Sequence, residues 1–462
     1  NYLTQGVTTV VTGNCGGSVS LKVAETKKKW EEQGLGTNAV YLVGFGDIRE
    51  SVLGRETRAA TKEEREKMKD ILRQAMTEGA WGLSTGLQYV PDRYASTEEI
   101  IDVAKVVYEF GGIYTSHQRS EEKYMVEATK ETIQIGRETG LRVNAAHFKA
   151  GGKSNWGKMK EAGKLINEAR ADGILMTADM YPYDKAGVGP ISQNFNIPHD
   201  LEPMAELRKK RRDRNLSEEE RETAERQYNE ELAKALSDPI KREKIKKLTA
   251  EGAPDLGNIA LQYGWDSFSI VFGQKNKHLI GKLLSELAEE LNKDPFDVAA
   301  DLFIEEKGNI FTSVDTMSED DMKYIMQQGW LMFSSDGSAF PPKKEAGNPK
   351  PGHPRSFGSF PRVFRKYVRE EKSLTLENAI RKMTSLPASF LQMKDRGLLI
   401  KGYQADIVIF DPDAIGDKAT YSDSQRYSQG IEYLIINGKV SIEKGRYNDS
   451  LNGKVLLLTE NK

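Results

Sequence analysis

The chain has little of the two residue types that most often bind transition metals. Its 462 residues include one cysteine and five histidines. A single cysteine excludes an intrachain disulfide framework and fits a reducing compartment, so we expect a cytoplasmic protein. The chain has no initiator methionine, and Asn1–Gly6 resembles a helix end that leads into a strand. We therefore expect it to begin within a fold, where a preceding export signal would not be visible.

An excess of one charge and a long apolar run are also absent. The sequence has 67 basic and 69 acidic residues, a balance that argues against a dedicated nucleic-acid or membrane surface. It has no run of about 18 apolar residues, the length that spans a bilayer. We expect small-molecule partners, and nothing in the composition specifies an oligomeric state.

Strand-like runs alternate with amphipathic helical stretches in the first 180 residues. This alternation predicts an α/β fold with a right-handed parallel sheet. The predicted strands are Val7–Thr12, Asn38–Gly44, Ala80–Ser84, Ile113–Ser116, Leu141–Ala145 and Ile174–Asp179. The predicted helices are Lys62–Thr77, Thr97–Phe110, Glu122–Thr139 and Gly157–Ala171.

Three later regions depart from this repeat. Residues from about 200 to 255 are dominated by interleaved acidic and basic side chains at helical spacing, which predicts a solvated helical insertion. Phe340–Pro361, rich in proline, glycine and lysine, follows a predicted strand at Leu331–Ser334 and is typical of a long loop over a site. From 391 to 462, short β-branched runs around Asn437-Gly438 predict a small β domain.

Cys15, His117 and His147 all fall at the carboxyl ends of predicted strands. Taken singly, a cysteine there is often a small buried apolar residue, and a histidine is often a hydrogen-bonded core residue. In parallel α/β folds, however, the catalytic and binding residues lie at the carboxyl ends of the strands. One thiolate and two imidazoles suffice for an open four-coordinate zinc with one position for water. The pattern therefore predicts a zinc hydrolase.

A series of ordered motifs resembles the N-acyl-D-amino-acid deacylase (D-aminoacylase) family of the amidohydrolase superfamily. The resemblance spans nearly the whole chain except the charged insertion. The motifs are Gly6-Val7-Thr8-Thr9-Val10-Val11 with Gly13-Asn14-Cys15-Gly16, Gly82–Leu87, Ser116-His117-Gln118-Arg119, Asn155–Lys158, Tyr181-Pro182-Tyr183, Ser335-Asp336-Gly337, His353-Pro354-Arg355, Phe360–Val363, Arg381–Ala388, Asp395-Arg396-Gly397 and Ala405–Val408.

The resemblance implies a TIM-like (β/α)₈ metal-dependent barrel over residues 1–390, here without its first strand. It also implies a small β-sandwich domain over 391–462 whose N-terminal half is absent. It implies one tight zinc on Cys15, His117 and His147, and Asp336 as the catalytic proton shuttle. It further implies that Lys149, Tyr181 and Arg355 bind the substrate carboxylate.

The chemistry of these residue types agrees with those roles. A carboxylate such as Asp336 can take a proton from water and return it to a leaving amine, although Ser335-Asp336-Gly337 alone is as typical of a turn or a helix N-cap. Lys149 lies two residues beyond His147, so both side chains face the same way on an extended segment. Arg355 offers a planar guanidinium that can bind a carboxylate, and Tyr181 offers a hydroxyl donor. Outside a site, an arginine is ordinarily a solvated surface residue and a tyrosine often packs in the core.

The chain also departs from the family. Members carry a His-x-His pair on the first barrel strand, upstream of Gly6-Val7-Thr8-Thr9, so a second, weaker metal position has no visible ligands here. Two other functions stay open. One is a related metal amidohydrolase that acts on cyclic amides, and the other is an N-terminally truncated, non-catalytic remnant.

Overall fold

The computed structural model describes residues 1–198, 200–201, 203–212, 216–252, 259–340 and 351–461. The strands are β1 (Thr9–Thr12), β2 (Asn38–Gly44), β3 (Gly82–Gly86), β4 (Ile113–His117), β5 (Arg142–Ala145), β6 (Met176–Met180), β7 (Lys185–Pro190), β8 (Phe268–Gly273), β9 (Ile310–Asp315), β10 (Leu331–Phe333), β11 (Ile407–Phe410), β12 (Ile431–Ile436), β13 (Lys439–Glu443), β14 (Arg446–Tyr447) and β15 (Val455–Leu456).

The helices follow the same numbering along the chain. They are α1 (Val23–Gln33), α2 (Phe45–Leu53), α3 (Lys62–Thr77), α4 (Thr97–Glu109), α5 (Met125–Thr139), α6 (Lys158–Ala171), α7 (Met204–Arg212), α8 (Glu218–Ser237), α9 (Pro239–Glu251), α10 (Ile259–Tyr263), α11 (Leu284–Leu291), α12 (Pro295–Glu305), α13 (Glu319–Met326), α14 (Arg355–Arg362), α15 (Leu376–Met383) and α16 (Ser385–Phe390). Among the described helices, none is long and apolar enough to cross a membrane.

A curled, parallel sheet forms the main body of the protein. Its strand order is β1-β2-β3-β4-β5-β6-β10, and the short β15 also pairs with β2. Helices between successive strands pack against the sheet and against one another, as in a TIM-like barrel. The predicted α/β barrel class is confirmed.

The sequence explains why these elements form. Asn38–Gly44 is a nearly continuous apolar run, and every residue of β2 is buried, as expected for a strand covered on both faces. In α3, Thr61 and Glu64 form a reciprocal capping box. The buried residues Met68, Leu72, Ala75 and Met76 recur at helical spacing along one side of α3, which attaches that side to the core.

The parallel sheet is open between β1 and β10, the two ends of its strand order. In the described parts of the chain, β1 pairs only with β2, and β10 pairs only with β6. A cleft of about 1370 Å³ lies at these edges, and its lining includes Cys15, His147 and Asp336. The cleft therefore reaches the candidate site.

A second hydrophobic cluster draws its residues from 191 to 314, a wider range than the predicted insertion of about 200–255. The predicted charged helices are present as α7 to α9, and they bury Tyr228, Leu232, Leu236 and Ile245 against α12 and its neighbours. Of the predicted insertion, residues 202, 213–215 and 253–255 lie outside the described residues. The antiparallel sheet β7-β9-β8 completes this cluster.

The C-terminal region forms a four-stranded antiparallel sheet, β11-β12-β13-β14. Asn437 and Gly438 connect β12 to β13 with φ of 50° and 79°, the paired positive values that a tight two-residue hairpin turn requires. Of the predicted loop Phe340–Pro361, residues 341–350 lie outside the described residues. Helix α14 begins at Arg355, inside that predicted loop.

Candidate active site

The residues predicted from the sequence to form the site lie at the carboxyl ends of the parallel strands. Parallel strands place their carboxyl ends on the same side, so residues that follow them converge. Cys15 follows β1, His117 ends β4, His147 follows β5, Tyr181 follows β6 and Asp336 follows β10.

Cys15, His117 and His147 form a compact cluster. The Cys15 Sγ lies 3.2 Å from His147 Nε2, and His117 Nδ1 lies 2.8 Å from the same nitrogen. One potential ligand atom from each residue lies within 4.8 Å of the others, and both histidines are buried. The structure therefore brings together the three residues of the predicted zinc set.

Three of the site residues adopt a left-handed backbone that side chains other than glycine rarely adopt. The φ angles are 56° at Cys15, 34° at His147 and 45° at Asp336. Glycines on both sides of Cys15 permit its turn, because a Cβ on Gly13 would collide with the Leu42 carbonyl and one on Gly16 with the Asp92 carboxyl group. Such conformations cluster at functional sites.

Two polar side chains fix the ring orientations of the histidines. Glu121 Oε1 lies 2.8 Å from His147 Nδ1, and Gln88 Oε1 lies 2.9 Å from His117 Nε2. Each contact occupies the ring nitrogen that points away from the cluster. His147 Nε2 and His117 Nδ1 then face the Cys15 sulfur and each other, and a metal ion would replace the proton that lies between these two nitrogens at 2.8 Å.

Burial and nearby charges shift the pKa values of the two histidines in opposite directions, and they lower the pKa of the neighbouring Glu121. Burial lowers the pKa of His117 to about 3. For His147, burial and Lys149 oppose protonation, but Glu121 and Cys15 outweigh them and raise its pKa well above the usual value. Burial alone would raise the pKa of Glu121, yet Lys149 and the two histidines hold it well below its usual range. Glu121 is thus a buried carboxylate.

Asp336, Arg355, Tyr181 and Lys149 form the polar wall beside the cluster. Arg355 Nη1 donates to Asp336 Oδ2 at 2.7 Å. The Arg355 guanidinium carbon and the Lys149 ammonium lie 5.1 and 5.8 Å from the centre of the Tyr181 ring. The Tyr181 hydroxyl is buried and has no hydrogen-bond partner within the described part of the chain.

Lys149 has closer partners than the sequence predicted. Its ammonium donates to Glu121 Oε1 at 2.5 Å and to the His147 carbonyl at 2.8 Å. Burial alone would lower the pKa of Lys149, but the Glu121 carboxylate raises it. The lysine therefore remains a cation beside the cluster, and part of its hydrogen-bonding capacity is used by Glu121.

From the sequence, no site role is predicted for Gln88, Glu121, Glu122 or His353, although His353 belongs to one of the motifs that resemble the deacylase family. Glu122 was placed in the first turn of a predicted helix, where acids are common, but α5 begins at Met125 and leaves Glu121 and Glu122 in a loop over the site. His353 donates from Nε2 to the Lys185 carbonyl and accepts at Nδ1 from the Arg355 backbone N–H, which fixes the start of α14. No local sequence pattern marks these long-range contacts.

The donor set fits a zinc ion. Zinc holds sulfur at about 2.3 Å and imidazole nitrogen at about 2.0–2.1 Å in a tetrahedral arrangement, so its ligand atoms lie roughly 3–4 Å apart. The separations of 3.2 and 2.8 Å within the cluster are close to that range. Three protein ligands would leave one position for water, as in catalytic sites.

The chain is similar to known amide hydrolases along nearly its whole length. A family model described as "Amidohydrolase family" matches residues 322–442. D-aminoacylase of Alcaligenes xylosoxydans xylosoxydans is 30% identical over 99% of this chain and 82% of its own. The chain belongs to the N-acyl-D-amino-acid deacylase family of amidohydrolases.

Solved deacylase structures agree with this assignment. A crystal structure of D-aminoacylase matches with a TM-score of 0.69 and 28% identity, over 98% of this chain and 84% of that chain. N-acyl-D-glutamate deacylase from Bordetella bronchiseptica, complexed with zinc and a phosphonate inhibitor, matches with a TM-score of 0.68 and 27% identity, over 98% and 83%. This deacylase-family chain is an amidohydrolase that acts on amide bonds.

Proposed function

We propose that this amidohydrolase cleaves N-acyl-D-amino acids to a carboxylate and a free D-amino acid, using one zinc ion held by Cys15, His117 and His147. The observation that carries the proposal is that one ligand atom from each of these residues lies within 4.8 Å of the others, at the carboxyl ends of the parallel strands. The relatives support the substrate class, because they include a D-aminoacylase and deacylases for N-acyl-D-aspartate and N-acyl-D-glutamate.

Hydrolysis forms a bond from water oxygen to the acyl carbon and breaks the bond from that carbon to nitrogen. Zinc, when bound, supplies a Lewis acid that polarises the carbonyl and acidifies water. Asp336 accepts the water proton and then donates it to the amine nitrogen, which cannot leave as an anion. One carboxylate therefore acts first as a base and then as an acid.

Three other side chains hold the substrate carboxylate in this proposal. Arg355 has five N–H donors, and its bond to Asp336 uses one of them, so its fork can also bind a carboxylate. The unpaired Tyr181 hydroxyl supplies a further donor. The buried Lys149 ammonium adds positive charge. These groups bind and orient the acid end of the substrate while Asp336 moves the proton.

Paired substrates test this function. Zinc-loaded full-length protein is assayed with matched N-acetyl-D- and N-acetyl-L-amino acids that carry neutral and acidic side chains, and with a hydantoin. We expect turnover of the D-substrates. Turnover of the hydantoin alone would indicate a cyclic amidase, and turnover of the L-series alone would contradict the assigned handedness. Protein that binds no zinc and cleaves none of the substrates would be a non-catalytic remnant.

A further inference from the structure

A relay of hydrogen bonds connects His117 to helix α10. Gln88 Oε1 lies 2.9 Å from His117 Nε2, and Gln88 Nε2 donates to a Glu122 carboxylate oxygen at 3.0 Å. Glu122 also accepts from the Tyr263 hydroxyl at 2.9 Å and from the Gln262 side-chain amide. The Tyr263 ring packs beside Gly151, two residues beyond Lys149. The relay therefore joins the second hydrophobic cluster to the candidate zinc site.

The direction of each hydrogen bond follows from the chemistry of Glu122. A carboxylate can only accept, so the Gln88 group that faces Glu122 must be its NH₂. The Gln88 carbonyl oxygen then faces His117 and needs a donor, which fixes the ring proton of His117 on Nε2. A neutral imidazole carries a single ring proton, so Nδ1 keeps its lone pair. Nδ1 is the atom that lies 2.8 Å from His147 Nε2 in the cluster.

We propose that Gln88 is a positioning residue that sets the tautomer and ring orientation of His117 for metal binding, and that Glu122 and Tyr263 hold Gln88 in that role. This inference rests on the proposed zinc function. Outer hydrogen bonds of this kind typically change metal affinity by about 10–100-fold when they are removed. The relay makes metal affinity depend on a tyrosine of α10, outside the parallel sheet.

The first test removes the amide while keeping a similar volume. In Gln88→Leu the His117 ring loses the acceptor for its Nε2 proton, so we expect the zinc dissociation constant, measured by chelator competition on the full chain, to rise about 10–100-fold. Tyr263→Phe removes one of the donors to Glu122, so we expect a smaller rise, on the order of fivefold or less. Gln134→Leu is the matched control, because Gln134 pairs with Glu138 on an exposed helix face.

A second readout separates positioning from a general structural role. Long-range ¹⁵N–¹H spectra of the histidine-labelled, metal-free protein report the tautomer of each neutral imidazole. We expect the Nε2–H form for His117 in the wild type and, in Gln88→Leu, an upfield shift of that Nε2 proton, which loses its acceptor while His147 Nε2 still faces Nδ1. A simple loss of stability would lower the melting temperature without shifting the resonance of this Nε2 proton.

Exchanging the side chains at positions 88 and 122 tests whether zinc affinity can be rescued. Gln88→Glu alone should weaken zinc binding, because two carboxylates then face each other. In the double variant Gln88→Glu/Glu122→Gln, the carboxylate at position 88 accepts from both His117 and the amide at position 122, so we expect an affinity near that of the wild type. Gln88→Leu with wild-type affinity and an unchanged His117 Nε2 proton resonance would overturn the proposal. If the wild type itself binds no zinc, the proposed function fails, while the tautomer spectra still decide the role of Gln88.

Discussion

The Arg355 guanidinium donates a 2.7 Å hydrogen bond to the Asp336 carboxylate, across the 18 residues between them in sequence. The contact joins the proposed proton carrier to the proposed carboxylate-binding group. Both side chains are partly exposed, so the pair faces the site rather than the core. A bound substrate carboxylate would therefore share the guanidinium with Asp336.

Arg355→Lys should weaken binding of substrates that carry a free carboxylate. Lysine keeps the charge but loses the planar fork. A hydrogen bond to a charged group contributes about 1.5–3 kcal/mol, so we expect KM to rise roughly 10–100-fold. KM for the matched substrate with an amidated carboxylate should not change between wild type and variant. Arg426→Lys, at an exposed pair with Asp423, is the control. Equal KM values for the free acid in wild type and Arg355→Lys would remove Arg355 from carboxylate binding.

Asp336→Asn should retain zinc and lose most of its turnover. An amide of the same shape cannot accept the water proton, and general acid–base groups typically contribute 10²–10⁴-fold to rate, so we expect kcat to fall by about that factor. Zinc content, measured by elemental analysis, should stay at the wild-type level. Asp70→Asn changes an exposed carboxylate that pairs with Arg73 and should leave kcat unaltered. Normal turnover in Asp336→Asn would refute the shuttle role.

Cys15→Ala should abolish both tight zinc binding and turnover. Two imidazoles remain, which are too few for a stable catalytic site. We expect the metal affinity to fall by more than the roughly 100-fold that loss of an outer hydrogen bond causes. Cys15→Ser, which keeps a weak oxygen donor, should bind zinc at an intermediate strength. In cobalt-substituted wild type we expect a thiolate-to-metal charge-transfer band that both variants lack. Stoichiometric zinc in dialysed Cys15→Ala would exclude the proposed ligand set.

The half-buried His353 should make the protein less stable in acid. Burial, together with the charges of Arg355 and Arg362, lowers its pKa to about 3, while the hydrogen bond to the Lys185 carbonyl opposes the shift. The unfolded histidine titrates near pH 6.5, so between pH 6.5 and 3 the unfolded state binds more protons and the free energy of unfolding falls as pH falls. Between pH 6.5 and 5, the titration of His353 lowers the free energy of unfolding by about 2 kcal/mol.

His353→Gln tests this pH dependence. Glutamine can donate to the Lys185 carbonyl and accept from the Arg355 N–H, but it does not titrate in this range. In denaturant unfolding of metal-free protein, the free energy of unfolding of the variant should fall by about 2 kcal/mol less than that of the wild type between pH 6.5 and 5. Parallel pH profiles for the two proteins would show that His353 is not the cause.

Much of the sheet could be predicted because its signals are local. The apolar run Asn38–Gly44 and the capped, amphipathic segment Lys62–Thr77 have the predicted bounds. The predicted Ala80–Ser84 shifts by two residues to Gly82–Gly86. Periodicity reports burial within a segment, whereas strand ends depend on the pairing partner.

The antiparallel strands β7 to β9 were missed for a physical reason. Lys185–Pro190 contains two glycines and a proline and shows no alternation of apolar and polar residues. Its pairing with β9 is defined by a partner more than 100 residues away. In the same way, the resemblance to deacylases indicated the three cluster residues, but Gln88 and Glu121 reach the site only through the tertiary fold.

The positive φ angles at Cys15, His147 and Asp336 affect how any mutational survey of this enzyme should be interpreted. Alanine at these positions deletes a functional group and keeps a Cβ in an unfavourable conformation, whereas glycine deletes the group and adopts that conformation freely. Comparing alanine with glycine at each position would therefore separate the lost chemistry from the conformational cost. Valine, isoleucine or threonine there would combine both penalties and overstate the importance of the side chain they replace.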